Sequence, residues 1–284
     1  MRKIENCIFP EERALYNIKD TIVSKCEFKG QIEGESALKE SSNVIIEDCY
    51  FDLRYPLWHV DTASITSSTM TSNCRAPLWY SNNILIKECY IGGVKAVREC
   101  RNIEITCSNI ESSEFGWKNE SVKIIQSNII GDYLFFDTKD IYMDKTNLLG
   151  KYSLQYISNS IIENSNFDTK DMLWHAKNVT VRNCNIKGEY LGWYCEDVTF
   201  IDCHISGTQT LCYAKNLKLI NCTMDNCDLS FEYSSVDATI DGNVTSIKNP
   251  ISGEIVVDSC DEIITKDNKY NTLARVVVRN KETL

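Results

Sequence analysis

Three charged side chains, Glu99, Lys118 and Asp137, follow one another at intervals of nineteen residues. Two carboxyl groups that flank a glycosidic bond can share the acid and base roles of sugar hydrolysis, and inverting enzymes place them about 6.5–9.5 Å apart. On alternate turns of a stacked coil, Glu99 and Asp137 would lie about 9.6 Å apart, twice the strand spacing. Lys118 between them would lower the pKa values of both carboxyl groups, which disfavours a general acid. We therefore favour a structural ladder in which Glu99, Lys118 and Asp137 form ion pairs between turns. Catalysis by these three residues is the alternative.

Aromatic residues recur with the same step, as the strings MLWHAKNVTVRNCNI and LGWYCEDVTFIDCHI show. Exposed, contiguous aromatic side chains usually mark a binding surface, because their rings stack on sugars or bases while polar neighbours fix the orientation. At this place in the repeat, two consecutive residues of each turn form a pair, and we take every paired residue except Gln155 as a candidate ligand-binding residue. The pairs are Trp58/His59, Trp79/Tyr80, Arg98/Glu99, Trp117/Lys118, Phe136/Asp137, Gln155/Tyr156, Trp174/His175 and Trp193/Tyr194.

Whether these pairs face solvent or the core depends on their neighbours. An apolar column precedes each pair, as at Leu57 and Leu78, and a column of mostly small residues follows it, as at Ser81 and Cys100. If both columns point inward, the pair turns outward at a corner. The alternative is an inward Trp column, which would bury Arg98 without an assured partner and crowd several indoles into a short turn. We therefore expect an outward aromatic stripe.

The repeat that spaces these residues predicts the fold. From Ile84 to Leu217, a new unit opens every nineteen residues, and further inward columns follow at fixed offsets. Alternation with period two over short runs indicates strands, and Asn, Asp, Ser and Gly between the runs indicate corners. A unit this short cannot bury its own inward face, so it must stack on its neighbours. The sequence predicts an all-β parallel β-helix, a solenoid of about ten to eleven coils with irregular end caps.

Many of the fourteen cysteines fall at fixed positions of the repeat, and one such column, as at Cys184, Cys203 and Cys222, alternates with Ser and Thr along the chain. This alternation is typical of a small buried side chain. Stacked cysteines would have nearly parallel Cβ vectors, which suit a disulfide poorly. No Cys-x-x-Cys pair or nearby histidine supports a zinc site. We expect reduced core cysteines, a cytoplasmic location, and neither a metal nor a cofactor.

The net charge of −10 disfavours nucleic acid and anionic lipid as partners. The N-terminal string MRKIENCIFPEERALYN lacks the apolar run of a signal peptide, and no stretch approaches the roughly 20 apolar residues of a membrane span. Without a linker rich in Pro, Gly and Ser, we expect a single domain over residues 1–284. Its expected parts are an irregular cap and first coil at 1–40, regular coils at 41–232, and C-terminal coils and a cap at 233–284. The oligomeric state stays open.

Several strings together resemble one family: LRYPLWHVD, APLWYSNN, KAVREC, FGWKN, MLWHAKNVTVRNC, GEYLGWY, LCYAKNLKLINCTM and FEYSSV. From about Ala14 to about Ile263, the chain is similar to the bacterial family catalogued as domain of unknown function 3737. The resemblance implies a right-handed parallel β-helix like that of the pectin lyases. It implies no activity, substrate or catalytic residue, so no role is carried over.

Two functions fit this sequence. The first is binding, and in one version processing, of a saccharide-like ligand along the aromatic stripe, which the wider β-helix superfamily supports by analogy of fold alone. The second is a non-catalytic scaffold or protein-interaction module that uses the same stripe. We expect the first. The aromatic residues could also serve only to stabilise neighbouring strands, by about 0.2–1 kcal/mol per pair.

Overall fold

A computed structural model describes residues 1–30, 35–266 and 269–279. The chain divides into two compact units, Met1–Asn147 (unit 1) and Leu148–Leu284 (unit 2). The single domain expected from the sequence stays a prediction, and each unit is described by itself. Both units are built from short parallel strands, and the described residues contain no helix.

Unit 1 contains two parallel ladders and one short additional pair. The first ladder contains β1 (Arg2–Glu5), β3 (Lys19–Ser24), β5 (Ser42–Glu47), β8 (Asp61–Thr66), β11 (Asn82–Lys87), β13 (Arg101–Thr106), β15 (Glu120–Ile125) and β17 (Lys139–Asp144). The second ladder contains β2 (Ile8–Phe9), β4 (Glu27–Phe28), β6 (Tyr50–Phe51), β9 (Thr69–Met70), β12 (Tyr90–Ile91), β14 (Asn109–Glu111) and β16 (Asn128–Asp132). The additional pair consists of β7 (Leu57–Trp58) and β10 (Leu78–Trp79).

Unit 2 shows the same pattern, with three longer strands of 9, 13 and 11 residues before its last strand. Its first ladder contains β19 (Ser158–Glu163), β21 (Lys177–Arg182), β23 (Glu196–Ile201), β25 (Leu217–Asp225), β26 (Val236–Lys248), β27 (Glu254–Ile264) and β28 (Arg275–Val278). Its second ladder contains β18 (Asn147–Lys151), β20 (Asn166–Lys170), β22 (Asn185–Lys187) and β24 (His204–Ser206), and β24 pairs with the later part of β25.

The inward columns read from the sequence form the core of both units. In β11, for example, Ile84 and Ile86 are buried while Leu85 between them is exposed. These residues pair in register with Ile103 and Ile105 one turn later. Because each strand alternates in this way, stacking places apolar side chains over apolar side chains on the inner side. The predicted parallel solenoid with a repeat of about nineteen residues is confirmed.

The Cys/Ser/Thr column lies at a buried corner and takes part in backbone hydrogen bonding. The side chain donates to the carbonyl two residues earlier, as in Cys89 Sγ to Lys87 O (3.2 Å). The side chain also accepts a hydrogen bond from the backbone N–H of the column residue one turn earlier. Ser108 Oγ, for example, accepts from the Cys89 N–H (3.1 Å). A thiol or hydroxyl side chain is small enough for this corner, and it can both donate and accept a hydrogen bond. The column is thus explained by two-way bonding as well as by size.

The described residues form about 14 turns, so the expected ten to eleven was too low. At the N-terminal end, Arg2 pairs in register with Thr21, inside the region expected to be an irregular cap. At the C-terminal end, Ala238 pairs with Ile255, and Ile255 pairs with Val276. Because these two steps are seventeen and twenty-one residues long, the C-terminal turns do not show in an alignment with a fixed nineteen-residue spacing. Parts of the expected caps, residues 31–34, 267–268 and 280–284, lie outside the described residues.

Candidate functional site

The paired residues of the stripe lie at a corner between two buried columns. The preceding and following columns are buried, as at Leu57, Leu78, Ser81 and Cys100, whereas the members of each pair are half-buried or exposed, apart from the buried Gln155. The second member has a positive φ, as at His59 (57°). Its N–H donates to the carbonyl of the first member one turn later, as from His59 to Trp79 O (2.9 Å). The pair therefore turns outward, as the column pattern predicted.

In unit 1, the first two pairs form one aromatic cluster. The indoles of Trp58 and Trp79 stack at 5.7 Å with 16° between their planes, and Trp79 also stacks on Tyr80 at 5.2 Å. His59 meets Tyr80 edge-on at 5.3 Å. Tyr55 lies tilted against both indoles, at 5.7 Å from Trp58 and 6.2 Å from Trp79. Stacking thus occupies much of the ring surface of this cluster.

The charged residues of unit 1 do not form the ladder expected from their spacing. Arg98 lies over Trp79 (5.8 Å) and Trp117 (5.2 Å) and binds Glu99 on its own turn (Nε–Oε1 3.3 Å). Lys118 and Asp137 form no ion pair with any residue that the structure describes. The expected Glu99–Lys118–Asp137 ion-pair ladder is therefore wrong, since Arg98 neutralises Glu99 at shorter range. The catalytic alternative for these residues stays a prediction.

The pair Trp117 and Phe136 differs from the other aromatic contacts of the stripe. Their centroids are 5.1 Å apart, but the ring planes are tilted by 40°. The Trp117 indole is fixed by its N–H, which donates to the backbone carbonyl of Tyr133. Lys118 and Asp137 are the exposed neighbours on these two turns. This is the one place in the predicted stripe where a tilted pair adjoins two charged groups without ion-pair partners among the described residues.

In unit 2, the stripe forms two stacked columns. Trp174 and Trp193 stack at 5.4 Å with 6° between their planes. Beside them, His175 stacks between Tyr156 (4.8 Å, 16°) and Tyr194 (5.1 Å, 8°). The column continues to Tyr213, 4.9 Å beyond Tyr194. Burial lowers the pKa of His175, and the nearby positive charge of Lys177 lowers it further. His175 thus favours its neutral form.

This stacking changes what the stripe can bind. Rings that lie nearly parallel and about 5 Å apart cover one another's faces, so they present mainly edges and hydroxyl groups to solvent. Sugar rings need an open aromatic face for stacking. The columns through Trp174 and His175 therefore offer few open ring faces, and the sugar subsites expected there stay a prediction.

Further residues of the surface went unnoticed in the sequence. Tyr190 meets Trp193 edge-on (5.3 Å, 80°), Tyr55 lies tilted against Trp58 (5.7 Å, 55°), and Lys39 lies over Trp58 at 4.1 Å. The signal for the tyrosines is a Tyr three residues before the Trp, in YPLW and YLGW. The signal for Lys39 is the repeat itself, since it lies nineteen residues before Trp58 in the same column.

A polar groove of about 310 Å³ follows another corner of unit 2. Its two rims carry short polar side chains: Asn164, Asn183 and Asp202 on one side, and Asn166, Asn185 and His204 on the other. The groove exists because the residue between the rims, such as Cys184, points into the core. The strings NSN and NCN could have indicated it in the sequence.

The described ranges hold no group of three or more His, Cys, Asp or Glu side chains placed to bind a metal ion. Burial raises the pKa values of the Cys49, Cys100 and Cys195 thiols to about 12, so these groups are poor nucleophiles. Among the same residues, there is no helix with the length and apolar composition to cross a bilayer.

Comparison with known proteins decides the family. The model of the family described as "Protein of unknown function (DUF3737)" matches residues 2–278. The chain belongs to this DUF3737 family. No curated protein matches it. The DUF3737 model carries no assigned activity, so membership identifies the fold family and leaves the function to the site.

Solved structures similar to this DUF3737 protein are distant. The surface adhesin PfbA of Streptococcus pneumoniae is 11% identical, with 86% of this chain and 70% of that chain covered and a TM-score of 0.36. The plasmid-mediated fluoroquinolone resistance protein QnrB1 is 12% identical, with 79% and 92% covered and a TM-score of 0.20. HetL, a pentapeptide repeat protein of Nostoc, is 9% identical, with 81% and 86% covered and a TM-score of 0.19. These values are too low for an argument about function.

Proposed function

We propose that this DUF3737 protein binds a saccharide-like ligand at Trp117 and Phe136 of unit 1, with Lys118 and Asp137 orienting the ligand. The observation that carries the proposal is the 40° tilt between the two rings. Two rings tilted in this way cover each other's faces less than the nearly parallel rings of Trp174 and Trp193, whose planes differ by 6°, and we call the angle between Trp117 and Phe136 the wedge.

The environment of the wedge suits a polyhydroxylated ring. The Arg98 guanidinium also lies over the Trp117 ring, at 5.2 Å from its centre, so a cation helps to hold this indole. The apolar face of a sugar packs on such a ring while its hydroxyl groups bond to polar neighbours. An ammonium group donates and a carboxylate accepts, so Lys118 and Asp137 together complement hydroxyl groups of either role.

The charges of these two residues are available because no described residue pairs with them. Glu99, one turn earlier in the same column, is already held by Arg98 at 3.3 Å. We therefore propose Trp117, Lys118, Phe136 and Asp137 as the part of the predicted stripe that binds the saccharide. Of the other predicted site residues of unit 1, Trp79 and Glu99 contact Arg98, which lies over Trp117.

A glycan array followed by calorimetry tests the proposal. Trp117→Ala should weaken binding of the selected oligosaccharide by about tenfold or more, which is a typical loss for one stacking residue. Trp193→Ala, in the closed stack of unit 2, is the matched control and should leave the affinity unchanged. Equal losses in both variants, or no binding to any oligosaccharide of the array, would overturn the proposal.

Processing of the ligand is tested with the same oligosaccharide. If Glu99 and Asp137 act as an acid and base pair, the protein should cleave it, and Asp137→Asn should abolish cleavage while retaining most of the affinity. If the oligosaccharide is still intact after long incubation, processing is rejected and only the binding function remains.

A protein-interaction module is the second candidate function, and the stacked surface of unit 2 favours it. Tyr156 and Tyr194 are 46% and 45% exposed although their ring faces lie against His175. Pre-stacked tyrosines offer apolar edges and hydroxyl groups at little entropic cost, as in many protein interfaces. A photocrosslinker at position 194 should capture one defined protein, whereas one at the exposed Tyr16 of unit 1 should not. That protein, purified, should lose affinity with Tyr194→Ala, and an unchanged affinity would reject this candidate.

A further inference from the structure

The five tryptophans of the chain differ in what their indole N–H groups bind. Trp117, Trp174 and Trp193 each donate to a backbone carbonyl sixteen residues later, and the last two bonds measure 2.6 and 2.7 Å. The Nε1 atoms of Trp58 and Trp79 are also buried, but they have no acceptor. Buried donors without acceptors are costly, so a native protein rarely keeps two of them side by side without a reason.

The two donors belong to one structural unit. Trp58 and Trp79 pair in register on β7 and β10, and their rings stack at 5.7 Å. Tyr55 packs across both rings, with planes tilted by 55° to Trp58 and 47° to Trp79. Tyr55 is half-buried and has a φ of 55°. A single side chain thus contacts both indoles.

An insertion in the following turn distinguishes this place from the rest of the repeat. Met70 lies nineteen residues after its partner Phe51, but Leu78 lies twenty-one residues after its partner Leu57. The two additional residues therefore fall between Met70 and Leu78. Arg75 lies in this segment and accepts the Tyr55 N–H at its carbonyl (3.0 Å). The insertion thus brings the backbone of Arg75, whose side chain is exposed, next to the backbone of Tyr55.

Positive charge accumulates around these donors. The Lys39 ammonium lies 4.1 Å from the centre of the Trp58 ring. Neither Lys39 nor Arg75 forms an ion pair with a described residue, whereas the nearby Arg98 is neutralised by Glu99 and Glu114. In a chain of net charge −10, two unused donors with Lys39 over one of the rings and Arg75 in the adjoining segment favour negative charge at this place.

We propose that Trp58, Trp79, Lys39 and Arg75 bind the oxyanion group of a small molecule, which enters when Tyr55 swings off the indoles. The two N–H groups donate to oxygen atoms of the ligand, and Lys39 and Arg75 supply the charge. A carboxylate and a sulfate group both provide this chemistry. The inference is independent of the saccharide proposal at Trp117, although an acidic sugar would engage this site through its carboxylate.

Nuclear magnetic resonance of the ¹⁵N-labelled indole groups tests the site. The five indole signals are assigned with single Trp→Phe variants, and sodium glucuronate, acetate, sulfate and uncharged glucose are then titrated at constant ionic strength. The Trp58 and Trp79 signals should shift saturably with an oxyanion and stay fixed with glucose, while the Trp174 and Trp193 signals stay fixed throughout. No shift of these two signals, or equal shifts of all five, would overturn the proposal.

The comparison between the anions identifies the source of the oxyanion. A stronger response to glucuronate than to acetate indicates an acidic sugar, equal responses indicate a bare carboxylate, and a response to sulfate alone indicates a sulfate group. The oligosaccharide affinity tests the saccharide proposal at Trp117, and the anion response of the Trp58 and Trp79 signals tests the present one. Either proposal can therefore fail without the other.

Variants then assign the roles. Arg75→Gln and Lys39→Gln should each weaken anion binding by about tenfold. The matched control is Lys145→Gln, an exposed lysine elsewhere in unit 1, which should change nothing. Tyr55→Ala should strengthen binding severalfold, because it uncovers both donors. Weaker binding by a Tyr55→Ala protein with an unchanged melting temperature would contradict the proposed entry route and the site with it.

Discussion

Two parts of the chain repeat the same four residue types, and they use them differently. In unit 1, Trp58 and His59 precede Trp79 and Tyr80. In unit 2, Trp174 and His175 precede Trp193 and Tyr194. Both sets lie on consecutive turns, at the same outward corner, and in both the indoles stack, at 5.7 and 5.4 Å. The backbone framework is therefore shared, and the differences lie in the partners.

The two sets differ in the acceptors of their indole N–H groups and in the angle between their His and Tyr rings. The unit 2 indoles donate to carbonyls, whereas the unit 1 indoles have no acceptor. The unit 2 His and Tyr stack with 8° between their planes, whereas His59 meets Tyr80 at 83° because Tyr80 lies flat on Trp79. A repeated sequence thus reproduces the corner but not the hydrogen bonds. One set is a closed, satisfied stack, and the other retains unused donors that we assign to a ligand.

The largest expected effect tests the shared framework. Leu57 and Leu173 are fully buried residues that precede Trp58 and Trp174. Leu57→Ala and Leu173→Ala should each lower the free energy of unfolding by about 2–5 kcal/mol, because both leave a cavity in a core that cannot collapse fully. Urea denaturation measures the two losses. A loss in only one unit would show that the two corners are not supported alike.

A smaller effect tests the difference in hydrogen bonding. Trp174→Phe removes an indole whose N–H donates to Tyr190 O at 2.6 Å and leaves that carbonyl unsatisfied. We expect this variant to cost about 1–3 kcal/mol more than Trp58→Phe, which removes a donor that has no acceptor. Both substitutions delete a similar ring area, so they control for one another in the same denaturation experiment. Equal costs would mean that the Trp58 N–H is satisfied after all.

The sequence was sufficient for the framework because the framework follows from periodicity. Inward positions such as Ile84 and Ile103 repeat at one spacing, and stacking requires nothing more than matching apolar faces. The outward direction of Trp58 also followed, since its neighbours Leu57 and Val60 are apolar and buried. Turns of altered length, such as the step from Ile255 to Val276, escaped the same reasoning.

The details of the surface could not be predicted in this way. Whether Glu99 pairs with Lys118 or with Arg98 depends on side-chain reach within one turn, which spacing does not encode. The partner of an indole N–H depends on ring rotation, and the Trp58 and Trp174 positions look alike in sequence. Periodicity locates a candidate surface, but contacts decide its chemistry.

A pH experiment sharpens the comparison between the two histidines. The pKa of His175 is lowered by burial and by Lys177, so the unfolded chain takes up the proton first as the pH falls. The stability that neutral His175 contributes is present above the unfolded pKa of about 6.5 and is lost below it. His175→Phe keeps a stacking ring without a titrating group. Its melting temperature should therefore fall less than that of the native protein between about pH 7.5 and about pH 5, and parallel curves would contradict this.

The smallest expected effect concerns the histidine of unit 1. His59 Nδ1 lies 3.4 Å from Glu40 Oε1, where His175 has the ring of Tyr156 instead. Both side chains of the His59–Glu40 pair are about 40% exposed, so solvent and salt screen the interaction. Glu40→Gln should cost less than about 0.5 kcal/mol, and this cost should vanish at high salt. Tyr156→Phe serves as the unit 2 counterpart, because it keeps the stack on His175 and should show no salt dependence. A salt-insensitive loss above about 1 kcal/mol in Glu40→Gln would show that the pair is held more rigidly than its exposure indicates.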